Sequence, residues 1–188
     1  MHFKSNLRTV KNVDIAQLVI DVPDYPKPGI LFKDITPILS SPTAFRFCVN
    51  EMFTLFQSIK HDISAIVGIE ARGFIFGAAM ALEEHLPFIL IRKPGKLPRP
   101  SYSVNYDLEY GTDSLHVHKD AVIPGGRYLI VDDVLATGGT AIATAQLLTE
   151  NGGTVVGFSS VMEISQLDGR QKINRFFPSV KISTVMST

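Results

Sequence analysis

The stretch Tyr128-Leu-Ile-Val-Asp-Asp-Val-Leu-Ala-Thr-Gly-Gly-Thr-Ala141 constrains the fold more than any other part of the chain. Residues 127–131 read as a short buried strand. Two adjacent acids end it, a glycine-bearing turn follows, and an apolar-periodic helix runs over residues 139–151 until Asn151-Gly152-Gly153 stops it. The same alternation recurs elsewhere. Short β-branched runs at 63–69, 87–91, 154–161 and 180–185 predict four more strands. Ser41-Pro42 is a good helix start, with Phe45, Cys48, Met52, Leu55, Phe56 and Ile59 on one face. Residues 73–85 predict a second helix, whose small residues suit close packing on a sheet. Short buried strands alternating with helices imply an α/β fold with a central, mostly parallel β-sheet flanked by helices on both faces. A chain of 188 residues fits one such domain over 1–188.

The turn itself carries chemistry. In open α/β sheets ligands bind at the C-terminal edge of the strands, where Asp132 and Asp133 stand. The helix that follows offers unpaired N–H groups and a positive dipole end. Glycines let a backbone approach an anion closely, and Thr137 and Thr140 add hydroxyl donors, so Ala136, Thr137, Gly138, Gly139 and Thr140 suit a phosphate monoester. Carboxylates would repel that phosphate, but they accept hydrogen bonds from sugar hydroxyls. Together the two groups describe a ribose 5-phosphate. The turn matches neither G-x-x-x-x-G-K-[ST] nor G-x-G-x-x-G.

Two regions are less regular. Residues 6–20 suggest an amphipathic helix with breaks. Residues 92–111 show no period, contain prolines, glycines and charges, and read as a long loop, which in a compact domain is usually functional. A short strand is expected at 115–118, where His116 and His118 share a solvent-facing side.

Equal totals of 18 basic and 18 acidic residues give no global pull toward nucleic acid or an anionic membrane. The lone Cys48 allows no disulfide within the chain and sits in an apolar pattern, as a buried spectator does. Residues 1–14 lack the apolar run of a secretory leader, and no apolar stretch reaches the roughly 18–20 residues that span a bilayer. The expectation is a cytoplasmic protein without nucleic-acid or membrane partners.

At the strand, the acid pair and the T-G-x-[TS] turn, the chain resembles the type I phosphoribosyltransferases. Tyr25-Pro-Lys-Pro-Gly-Ile-Leu-Phe-Lys-Asp-Ile-Thr-Pro37, Glu70-Ala-Arg-Gly-Phe74, Ile91-Arg-Lys-Pro-Gly-Lys-Leu-Pro98, Leu108-Glu-Tyr-Gly111 and Met162-Glu-Ile-Ser-Gln-Leu-Asp-Gly-Arg170 are similar to segments of its adenine-specific members. The resemblance implies that fold, with a small N-terminal hood over about residues 1–38 and a flexible catalytic loop over about residues 94–111. It implies a purine-salvage transfer of the 5-phosphoribosyl group from phosphoribosyl pyrophosphate to adenine, giving AMP and pyrophosphate in a homodimer. By the same resemblance residues 136–140 hold the 5-phosphate, and Asp132 and Asp133 the ribose hydroxyls. Arg72, Arg92, Lys93 and Lys96 meet the pyrophosphate, with a cis peptide between Glu70 and Ala71. Adenine lies near Leu31, Lys33 and Ile164. Lys33 and Pro94 stand where relatives often carry other basic residues. Glu109, in the closing loop, is the candidate catalytic carboxylate. Mg²⁺ is the implied cofactor, held mainly by substrate oxygens and water rather than by a protein cage. Alternatives are a transferase for hypoxanthine, guanine or uracil, an enzyme that makes phosphoribosyl pyrophosphate, and a regulator that keeps this fold to bind nucleic acid. The last would need a basic face or an added module.

Overall fold

A computed structural model describes residues 14–107 and 112–188. The chain divides into two compact units, Met1–Cys48 and Val49–Thr188.

In the first unit, a 3₁₀ turn (Ile15–Leu18) precedes strand β1 (Ile20–Val22). Asp14 caps that turn through Ala16 N–H. β1 pairs antiparallel with β2 (Phe32–Asp34). The expected helix over 6–20 is thus extended at its end, and its residues before 14 lie outside the described ones. The proline-rich connection between the strands has a cis Tyr25–Pro26 bond. It is closed by Gly29 N–H donating to Asp24 at 2.7 Å, and Tyr25 packs edge-on to Phe32. A single helical turn, α1 (Thr36–Leu39), follows. α2 (Pro42–Thr54) starts at the expected proline.

The second unit holds the sheet. Its strands are β3 (Ala65–Ile69), β4 (Phe88–Ile91), β7 (Arg127–Val131), β9 (Thr154–Glu163) and β10 (Lys181–Ser187), with α3 (Gly73–Glu84) between the first two. The order is β10-β9-β7-β3-β4, and every pair is parallel. Short β8 (Val134–Leu135) adds to the end of β9. α4 (Gly139–Glu150) links it to β9, and α5 (Gly169–Phe176) links β9 to β10. Alternate strand residues feed opposite faces. Val67, Ile69, Tyr128, Ile130 and Phe158 join one cluster with Ala141, Ile142, Leu147 and Leu148 of α4. This is the expected α/β architecture.

Two elements differ from expectation. Residues 101–107 are not irregular: β5 (Ser101–Asp107) pairs antiparallel with β6 (Thr112–His118). Tyr102, Val104 and Tyr106 alternate along β5 and pack on the main cluster, while Leu115 and Val117 of β6 are buried in it. α5 was also unanticipated, because only Gly169 and Ile173 of its eight residues are buried. Among the described residues no helix is long and apolar enough to cross a membrane.

Candidate active site

The strand order creates a crevice. After β3 the chain turns through α3 to β4 on one side, and after β7 it turns through α4 to β9 on the other. β3 and β7 are neighbours, so their outgoing loops diverge at the C-terminal edge, the usual ligand position in such sheets. Residues 70–72 leave β3 and residues 132–138 leave β7.

The second loop carries the turn. Gly138 has φ +77° and ψ −1° and caps α4 without any side-chain hydrogen bond. The left-handed region favours glycine here. The first intrahelical bond is Ile142 N–H to Gly138 O at 2.9 Å. The N–H groups of Gly139, Thr140 and Ala141 therefore point out of the helix end as orphan donors. They line a small cleft with Asp132, Leu135, Ala136, Thr137 and Phe158.

The acids stand beside it. Asp133 is 5% exposed, and its Oδ2 lies 2.8 Å from Arg72 Nε of the first loop. This is a charge contact, since that oxygen takes no well-directed hydrogen bond. Asp132 accepts Asp133 N–H at 2.9 Å. Burial, and then the neighbouring Asp133 charge, hold the Asp132 carboxyl well above its usual range. Gly73 makes the approach of the two loops possible. A Cβ there would meet Val131 O at 2.8 Å and Asp132 Oδ1 at 2.9 Å. The Glu70–Ala71 peptide is cis.

The cations at the end of β4 are engaged. Arg92 Nε donates to Glu70 at 3.0 Å, and Lys93 N–H donates to the same carboxylate at 2.8 Å. The Arg92 hydrogen bond is the main cause that lowers the Glu70 pKa. The Lys93 ammonium is hydrogen-bonded to Asp113 and to Tyr106 Oη of the β5–β6 hairpin. Burial works against that charge, but the two hydrogen bonds outweigh it and raise the Lys93 pKa. Lys96 is exposed in the following turn. Arg92 also exchanges both backbone hydrogen bonds with His116, which ties the hairpin to the sheet.

The structure thus gathers Arg72, Asp132, Asp133 and residues 136–140 at one edge, with Arg92 and Lys93 at the end of the neighbouring strand. Ile164 follows β9 and donates its N–H to Leu135 O at 2.9 Å, beside the turn. Leu31 and Lys33 belong to the first unit. Leu31 is half exposed, and Lys33 pairs with Asp21 at 2.7 Å. Glu109 lies outside the described residues. Sequence reasoning passed over Glu70 as an acceptor and Gly169 as a neighbour of the turn, where an added Cβ would meet Ala136 O at 2.2 Å. An acid two residues before Arg72 was a usable signal for the first, and no local signal marks the second.

The family model described as the phosphoribosyl transferase domain matches residues 38–178. Adenine phosphoribosyltransferase of Synechocystis sp. is 50% identical over 159 residues, 85% of this chain and 92% of the relative. The crystal structure of adenine phosphoribosyltransferase from Rhodothermus marinus matches with a TM-score of 0.86 at 44% identity, covering 93% of this chain and 96% of that one. The enzyme of that name from Saccharomyces cerevisiae, in complex with an imino-altritol bisphosphate and adenine, gives 0.83 at 34% identity, over 91% and 96% of the two chains. The crevice, its acid pair and these matches lead to one assignment: the chain belongs to the phosphoribosyltransferases, among the adenine phosphoribosyltransferases.

Proposed function

We infer that the protein transfers the 5-phosphoribosyl group of phosphoribosyl pyrophosphate to adenine, releasing AMP and pyrophosphate in purine salvage. One observation carries this reading. The N-terminus of α4, which no side chain caps, lies beside Asp132, next in sequence to Asp133, at the switch point of the sheet. It supports an anion on the N–H groups of residues 139–141 and hydroxyls on the acids. The deciding assay mixes adenine, phosphoribosyl pyrophosphate, Mg²⁺ and protein and follows AMP. AMP should form in proportion to enzyme, faster than the nucleotides of hypoxanthine, guanine or uracil. No AMP at any enzyme concentration sinks the reading.

In the reaction a nitrogen of the purine imidazole ring bonds to ribose C1 as the bond from C1 to pyrophosphate breaks. Positive charge builds on the sugar and negative charge on the leaving group. Arg72, Arg92, Lys93 and Lys96 are proposed to face the pyrophosphate. Glu109 takes the purine proton. Ile164 stands on the base side. Asp132 and Asp133, the acids at this edge, would accept hydrogen bonds from the ribose hydroxyls, and a largely hydrated Mg²⁺ would be held mainly by substrate oxygens and water. When bound, such an ion would supply neutralisation of the charge on the leaving pyrophosphate. Closure of the segment through Glu109 excludes water, which would otherwise hydrolyse the activated sugar.

Lys93 has a competitor for this role. Asp113 holds its ammonium, and the pairing lowers the Asp113 pKa. Releasing a partly exposed pair of this kind costs about 0.5–1 kcal/mol. Asp113→Asn is therefore expected to lower the KM for phosphoribosyl pyrophosphate about 2–5-fold. An unchanged or raised KM means Lys93 never leaves the hairpin.

A second copy of the chain is the proposed partner, and the cytoplasm the proposed location. Ile75, Ala78 and Leu82 form an exposed apolar stripe on α3, beside exposed Leu90 of the edge strand β4. Such a stripe supports a subunit interface. Leu82, 79% exposed, is the probe. Leu82→Glu should turn a dimer into a monomer in sedimentation at micromolar protein, and an undiminished dimer excludes this face.

A further inference from the structure

The turn over residues 136–138 is backed by main chain, not by side chains. A Cβ on Gly138 would meet Gly169 O at 2.9 Å. A Cβ on Gly169 would meet Ala136 O at 2.2 Å and Gly138 N at 3.0 Å. The first residue of α5 is therefore pressed against the turn at a distance only two glycines allow. The next residue, Arg170, is fixed by four acceptors. Its Nε donates to both oxygens of Glu163, at 3.0 and 2.9 Å. Its Nη2 donates to Glu163 and to Thr184 Oγ1, the latter at 3.1 Å. Its Nη1 donates to Ile182 O at 3.0 Å.

Glu163 closes the circuit. It is 9% exposed, and it ends β9 opposite Leu135, the residue that opens the turn. Running round the loop, Leu135 leads to Ala136 and Gly138, these abut Gly169, Arg170 grips Glu163, and Glu163 is paired back to Leu135. Leu135 and Glu163 are held by paired strands, Arg170 by its guanidinium fork, and Gly169 by its place next to Arg170 at the start of α5. We propose that Glu163, Gly169 and Arg170 are positioning residues that hold the 136–138 turn in the geometry that receives the 5-phosphate; this rests on the reading of that turn as a phosphate seat.

The reason is physical. A seat made of backbone N–H groups works only if they converge before the anion arrives, within about 0.5 Å of the bound geometry. A turn with two adjacent glycines is the least rigid backbone available. No side chain caps α4 to hold it. The α5 wall supplies that rigidity from outside, and Arg170 has a planar fork that a lysine cannot reproduce.

The test compares AMP with adenosine, which lacks the phosphate, by calorimetric titration of the full-length protein. Two variants are used. Gly169→Ala places a Cβ against Ala136 O. The double variant Glu163→Leu with Arg170→Met removes the ion pair whole, so no buried carboxylate is orphaned. In both, AMP binding should weaken at least 10-fold, and adenosine binding should change less than 2-fold. The KM for phosphoribosyl pyrophosphate should rise with it while the KM for adenine stays. Unchanged AMP affinity in both variants overturns the proposal. Equal weakening of AMP and adenosine also overturns it, because the brace would then be merely structural. If the unaltered protein itself does not prefer AMP to adenosine, the phosphate seat falls first, and this proposal with it.

Discussion

Asp132→Asn is expected to lower kcat/KM about 100-fold or more while raising the melting temperature. The loss follows from the site. A charge-assisted hydrogen bond is worth about 1.5–3 kcal/mol, and on the proposed reading the carboxylate would also face the positive charge that builds on ribose. Asparagine keeps the oxygen that accepts Asp133 N–H at 2.9 Å, so the loop need not move. The gain follows from the raised pKa. As pH rises past the ordinary Asp value of 3.8, the unfolded chain releases the Asp132 proton and the folded chain keeps it. The folded state then binds more protons, so stability falls with rising pH until the folded pKa is passed. Above that point the full penalty stands, and asparagine carries none of it.

The melting temperature of the variant should exceed that of the unaltered protein at pH 8. The gap should narrow steadily as pH is lowered toward 5 and below. A lower melting temperature, or a gap that does not depend on pH, refutes the raised pKa. Undiminished activity removes Asp132 from the site.

Glu109→Ala should lower kcat about 100–1,000-fold, the usual range for a positioned proton acceptor. Its KM for phosphoribosyl pyrophosphate should change less than about 3-fold, because the proposed seat of the sugar phosphate is residues 136–140. The pH profile discriminates further. If Glu109 takes the purine proton, the variant loses the acidic limb of the kcat profile. A KM effect larger than the kcat effect would instead make Glu109 a binding residue.

The acid pair and its turn were legible because their chemistry is local: a strand, two carboxylates, two glycines and a helix start within fourteen residues. Four of the five parallel strands were legible for the same reason, as apolar runs, and β10, which buries none of its residues, showed only as a shorter β-branched stretch. β5 was not, because its alternation uses Tyr102, Val104 and Tyr106 with serine and asparagine between them, directly after a stretch of prolines. Such a strand exists only because β6 and the core receive its aromatic face. The pairings of Arg92 with Glu70, Lys93 with Asp113 and Arg72 with Asp133 were equally hidden. Each joins residues far apart in sequence, so charges that read as free cations are neutralised only once the sheet is assembled. Gly169 was quoted as part of a motif, but nothing in its neighbours reveals that it abuts a turn some thirty residues earlier.

That last contact sets an order of events on the ribosome. Gly138 leaves the peptidyl-transferase centre before Gly169, by roughly 2–6 seconds at about 5–20 residues per second. The turn is thus complete in sequence before its wall is, and on the proposed reading a chain stopped short of Gly169 would carry the glycines of a phosphate seat without the backing that shapes it. On that reading, competence for the sugar phosphate depends on a residue made after the turn itself.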